Sequence, residues 1–171
     1  MHRRLALLAP PLLLAACGSS SPKAQAPAKP PAAQFLHVHA RRHAVDLTLI
    51  AGDGAGNNGF NFDGYGRGEL TVSVPRGWRV SVHFRNAGSE RSSCVVVDGP
   101  DATTTAFPSA STPSPSTGLE QGASATFSFT ASRTGSYRFA STVAGQELAR
   151  MWDVLEVTKG GRPSISARRG P

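Results

Sequence analysis

Residues 137–157, YRFASTVAGQELARMWDVLEV, decide the reading of this chain. At both ends Tyr, Phe, Val and Leu alternate with polar side chains, the period of a strand with one face in a core. The middle, residues 141–151, breaks the alternation and carries Gly145. It reads as a loop joining two strands.

Outward from this unit the same pattern repeats. Residues 123–130 (ASATFSFT) alternate with period two, and Gly135 closes the turn into the next strand. Val95, Val96 and Val97 form a short apolar run, residues 78–84 another strand, and residues 70–74 one stopped by Pro75 and Gly77. Residues 45–50 alternate before a Gly/Asn-rich turn at 51–59. About eight short strands separated by Gly, Pro, Asn and Ser are the all-β pattern, and their order implies two antiparallel sheets packed face to face.

Several segments carry a family resemblance. FNFDGY at 60–65 is similar to the FNFNGY-like segment of the sulfocyanins, within the cupredoxins or blue-copper proteins. PRGWRVSVHF at 75–84 resembles that family's Pro-x-Gly-Trp-x-Val pattern, and FPSA at 107–110 with TPSPSTGL at 112–119 resembles its FPGA…TPNPTxG insertion. Met151-Trp152 and GRPSI at 161–165 look alike too. The resemblance covers residues 44–165 and implies an all-β, cupredoxin-like Greek-key β-sandwich of about seven to eight strands. Trp78 reads as a packed core aromatic, with an electron conduit as the alternative, and His83 as structural or solvent-facing.

In the family the loop corresponding to 141–151 runs Cys, four residues, His, four residues, Met. At that spacing this chain has Ser141, Gln146 and Met151. The family's first copper-binding His follows an Asn-x-x-Ser turn, and after Asn86-Ala87-Gly88-Ser89 its place falls on Ser92, or on Ser93 if the loop is shifted by one. A type 1 copper site needs a thiolate, two imidazoles and at most a weak axial thioether. Ser keeps its proton near neutral pH and Gln offers only a neutral carbonyl oxygen. The resemblance thus implies a domain that has lost the copper ligands, with Ser92, Ser141, Gln146 and Met151 at the former site and no cofactor expected there. The alternative is copper at an atypical site.

Two features could serve that alternative. Cys94 is either a reactive thiol near the old ligand loop or a small hydrophobe among valines. His37 and His39, as His-x-His on an extended segment, would share a face and could chelate a metal, although Arg41 and Arg42 would repel the cation and the segment also reads as a polar approach to the first strand.

The N-terminus has His2, Arg3 and Arg4 before the apolar run LALLAPPLLLAA and then Cys17, the pattern of a secretory signal over residues 1–16. Leu14-Ala15-Ala16-Cys17 resembles a bacterial lipobox, which implies a diacylglyceryl anchor on Cys17 and a place on the outer face of the cell membrane; an ordinary signal with an incidental Cys is the other reading. Residues 17–43 are expected to be a lipidated Cys and disordered tether, its Pro/Ser/Ala-rich part unable to bury apolar area, with a disordered tail at 166–171.

Eighteen basic against eleven acidic residues give +7, or about +5 once Arg3 and Arg4 are removed with the signal. The basic residues are scattered, which argues against nucleic acid. Three function classes follow: a copper-free binding or structural module on the cell exterior, held at the membrane, with an extracytoplasmic protein as the candidate partner; an electron carrier; and an enzyme. No nucleophile motif or carboxylate pair supports the enzyme.

Overall fold

The computed structural model describes residues 29–168. Nine strands are formed: β1 (Leu36–His39), β2 (Ala44–Ala51), β3 (Leu70–Pro75), β4 (Arg79–Asn86), β5 (Val95–Val97), β6 (Ser124–Thr130), β7 (Gly135–Ala140), β8 (Trp152–Thr158) and β9 (Ser164–Ala167). One sheet has the order β1-β2-β4-β6 and the other β5-β7-β8-β3-β9.

Alternation decides which side chains face inward. β2 buries Val45, Leu47, Leu49 and Ala51, and β4 buries Val80, Val82 and Phe84. From the second sheet Val72, Val74, Tyr137, Phe139, Leu155 and Val157 meet them in one apolar core. Each full burial of a side chain of this size contributes roughly 1.5–3 kcal/mol.

Four expectations are corrected. The sheets are not wholly antiparallel: β2 runs parallel to β4, with Ala44 opposite Arg79, and β3 runs parallel to β8, with Thr71 opposite Val154. The cause is topological, since β3 lies in the other sheet and the chain returns from it to place β4 beside β2 in the same direction. The ordered domain also starts before residue 44. Ala32–Phe35 forms a 3₁₀ turn that buries Phe35, and β1 pairs antiparallel with β2, so the tether does not extend to 43. At the other end β9 pairs with β3 through Ala167 opposite Leu70, carrying order into the expected tail. The strand count is nine rather than seven or eight. The signal segment at 1–16 and Cys17 lie outside the described residues.

The Pro/Ser/Thr-rich segment after β5 is tied down along that strand. Ala106 N–H donates to the Val96 carbonyl (2.8 Å), Val96 N–H to the Ala110 carbonyl (2.9 Å) and Thr112 N–H to the Cys94 carbonyl (2.9 Å). Phe107 enters the core and stacks on Phe129 at 5.3 Å. Among the described residues no helix is long and apolar enough to cross a membrane.

Candidate functional site

β7 and β8 are antiparallel neighbours with Ala140 opposite Trp152, so loop 141–151 leaves and re-enters the sheet at one end. Its base is closed by Ser141 N–H donating to the Met151 carbonyl (3.2 Å) and Met151 N–H donating to the Gln146 carbonyl (3.0 Å). Gly145 sits at φ +84, where a side chain is strained, and its carbonyl accepts from Ala149 N–H (3.0 Å).

The segment after β4 reaches the same end. Ser92 and Leu119 exchange both backbone hydrogen bonds, at 3.0 and 2.7 Å. Gly118, at φ +74, lets them approach: a Cβ there would stand 2.9 Å from Ser92 N and 2.7 Å from a Val143 methyl. Asn86 fixes the connection, its buried amide donating to the carbonyls of Glu90 (2.8 Å) and Leu119 (2.9 Å) while its oxygen accepts from Gly88 N–H (3.1 Å).

Ser92, Ser141, Gln146 and Met151 are thereby brought together, with Ser93, and all five are buried. Ser92 Oγ donates to Gln146 Oε1 (3.3 Å) and lies 3.7 Å from Met151 Sδ. Gln146 Nε2 donates to the Arg91 carbonyl at 2.7 Å. Ser93 faces a different partner: its Oγ is 3.2 Å from Ser141 Oγ, its N–H donates to the same oxygen (3.3 Å), and Thr142 N–H donates to Ser93 Oγ (3.2 Å). A cleft of about 300 Å³ opens above Ser92, Gln146 and Met151, walled by Phe60 and rimmed by Glu90.

Cys94 stays out of this cluster. Its side chain is fully buried in the apolar core, where burial pushes the thiol far above its ordinary value, and its N–H donates to Thr112 Oγ1 at 3.2 Å. Such a thiol is a small hydrophobe and a poor nucleophile. His37 and His39 lie on β1, near the opposite end of the sandwich, where His39 pairs with Ala44 and Ala44 in turn with Arg79. Arg42 Nη2 donates to His39 Nδ1 (3.0 Å), which leaves Nε2 to donate to Asp46 Oδ2 (2.8 Å). That bond holds the Asp46 carboxyl below its usual range. His83 faces solvent with Nδ1 3.3 Å from Thr126 Oγ1, and Trp78 packs half-buried against the core beside His43, ring to ring at 5.4 Å. Among the described residues no group of three or more His, Cys, Asp or Glu side chains is placed to hold a metal ion.

Asn86, Asp63 and Asp153 are among the buried polar groups that sequence reasoning missed. Asp63 Oδ1 accepts from Ile50 N–H (2.8 Å) and Asp153 Oδ1 from Leu70 N–H (2.9 Å). Burial pushes the Asp63 carboxyl up to about 8 and raises Asp153 well above the carboxylate range. The signal available was position: Asp153 falls on the inward parity of β8, between Met151 and Leu155.

Residues 31–161 match the family model described as the Sulfocyanin (SoxE) domain. The chain belongs to the sulfocyanin family. The solved structures place the sulfocyanin-type domain in the cupredoxin fold. Dithionite-reduced auracyanin from the photosynthetic bacterium Roseiflexus castenholzii is 21% identical, with a TM-score of 0.51, over 66% of this chain and 96% of that one. The blue copper oxidase from Nitrosomonas europaea is also 21% identical, with a TM-score of 0.52, over 66% of this chain and 38% of that one. At this identity the likeness shows the fold alone. No curated protein matches the chain.

Proposed function

We propose that this sulfocyanin domain is a copper-free binding or structural module, held outside the cytoplasm by a lipid on Cys17, in which the family's metal site has become a neutral polar pocket. The observation that carries the reading is the Ser92, Ser93, Ser141, Gln146 and Met151 cluster. Its donors are three hydroxyls, one amide and one thioether, and the hydroxyls and amide already hydrogen-bond to one another or to backbone. That set does not suit a type 1 copper ion, which requires a thiolate and two imidazoles. Neutral dipoles of this kind cannot offset a divalent charge removed from water.

The cleft above the cluster is suited to a small polar group or to a side chain of an extracytoplasmic protein, with Ser92 and Gln146 supplying hydrogen bonds and Phe60 an apolar wall. Family membership favours a second reading, electron transfer through an atypical copper site. Met151 would then need imidazoles, and His37 and His39 stand near the other end of the sheet. If copper added in solution binds at all, it is expected at His37 and His39, where it keeps part of its hydration but must displace a hydrogen-bond partner of His39.

Restoring the ligands tests the frame. Ser141→Cys and Gln146→His combined with either Ser92→His or Ser93→His should give a blue, copper-binding protein in one register. Ser92 is the favoured position because it already lies 3.7 Å from Met151 Sδ. A folded protein that stays colourless in both registers would remove the basis for calling this pocket a former copper site.

A further inference from the structure

Leu148 is 88% exposed, far more than any other large apolar side chain among the described residues, where Val38 follows at 44%. It cannot fold away, because the turn that carries it is closed by Ala149 N–H to the Gly145 carbonyl (3.0 Å) and Arg150 N–H to the Glu147 carbonyl (2.8 Å). Asn57 holds the turn from outside, its amide donating to the Ala149 carbonyl at 2.9 Å. Two exposed arginines are tied to the same turn. Arg67 N–H donates to the Arg150 carbonyl (3.0 Å), and Arg67 Nε donates to Asn57 Oδ1 (2.8 Å). Neither guanidinium has an acidic partner among the described residues, whereas Glu147 is turned toward Arg138 (3.5 Å).

The start of the described chain lies at this same end. Lys29, paired with Glu69, lines a small hollow with Asn57 and Arg67, and Tyr65 Oη donates to the Pro30 carbonyl. Only residues 17–28 separate Lys29 from the apolar run that ends at Ala16.

We propose that this end of the sandwich rests on an anionic lipid surface, with Leu148 entering the boundary between headgroups and acyl chains and Arg67 and Arg150 on lipid phosphates. An exposed apolar side chain with unpaired cations tied to the same turn can bind an interface by burial and charge together. The inference does not depend on copper.

The test uses the full chain carrying Cys17→Ser, so that no acyl chain contributes and the buried Cys94 does not compete for label. An environment-sensitive fluorophore is placed at Ala144→Cys, exposed on the same loop, or at Ser109→Cys, exposed toward the opposite end beside Arg79. With vesicles of phosphatidylcholine and phosphatidylglycerol, the label at 144 should brighten at least about twofold and shift to the blue while that at 109 stays constant. Leu148→Asp, or Arg67→Glu with Arg150→Glu, should abolish the response, and raised salt should weaken it. An equal response at both positions, none at 144, or indifference to Leu148→Asp would overturn the proposal, the second outcome leaving the loop to a protein partner.

Discussion

Asp63 and Asp153 are fully buried carboxyls, each with one oxygen on a backbone N–H and the other, Oδ2, without a hydrogen-bond partner among the described residues. Burial favours the protonated form of both. The unfolded chain releases these protons near 3.8, whereas folded Asp63 keeps its proton to about 8. Between those values native Asp63 binds more protons than in the unfolded state, so its contribution to stability is full below about pH 4 and falls as pH rises, by up to roughly 1.4 kcal/mol per pH unit, and Asp153 acts in the same direction. Asp46 has the opposite sign and acts only as pH falls through the acid range. The urea midpoint should therefore drop from pH 5 to pH 8. Asp63→Asn, which keeps the oxygen that accepts from Ile50, should flatten the slope and leave the pH 5 midpoint nearly unchanged; a slope equal to the parent's would mean that Asp63 is ionised in the fold.

At the scale of elements, the loops at the site end are held by a few buried amides rather than by apolar contact. Asn86→Ala removes two donors and an acceptor and leaves the Glu90 and Leu119 carbonyls short of a partner. A loss of about 1–3 kcal/mol is expected, with faster amide exchange in residues 90–93 than in β4. Loss of stability without local exchange would assign Asn86 to the sandwich instead. The strand–loop–strand unit at 137–157 was legible because its two flanks alternate and its middle does not. The spacing that singled out Ser141, Gln146 and Met151 proved to be spatial proximity as well. β1 was less legible: Leu36 and Val38 are its only apolar residues, and as an edge strand it needs little more, so LHVH reads as polar chain. β9, Ser-Ile-Ser-Ala, hides for the same reason. The parallel pairs escaped notice because alternation reports a strand's faces and not its direction. Asn86, Asp63 and Asp153 escaped because a polar residue on an inward position reads as a break until its backbone partner is known.

For the whole molecule, the fold and the family are settled by the sandwich and by the match over residues 31–161, while placement at the membrane remains a proposal with its own test. Cys17→Ser should shift the full chain from the membrane pellet to the soluble fraction, and a variant that still sediments at high salt would exclude the lipid anchor. The central claim, that this sulfocyanin domain holds no type 1 copper, is tested most directly by titrating the purified full chain with Cu(II) and recording its visible spectrum and bound metal. The account predicts no intense thiolate-to-copper band and only weak binding, lost when His37 and His39 are changed to Ala, since the one thiol within the sandwich is buried among apolar side chains. A strong blue band at stoichiometric copper would contradict it, because only a cysteine thiolate drawn to the metal could produce one.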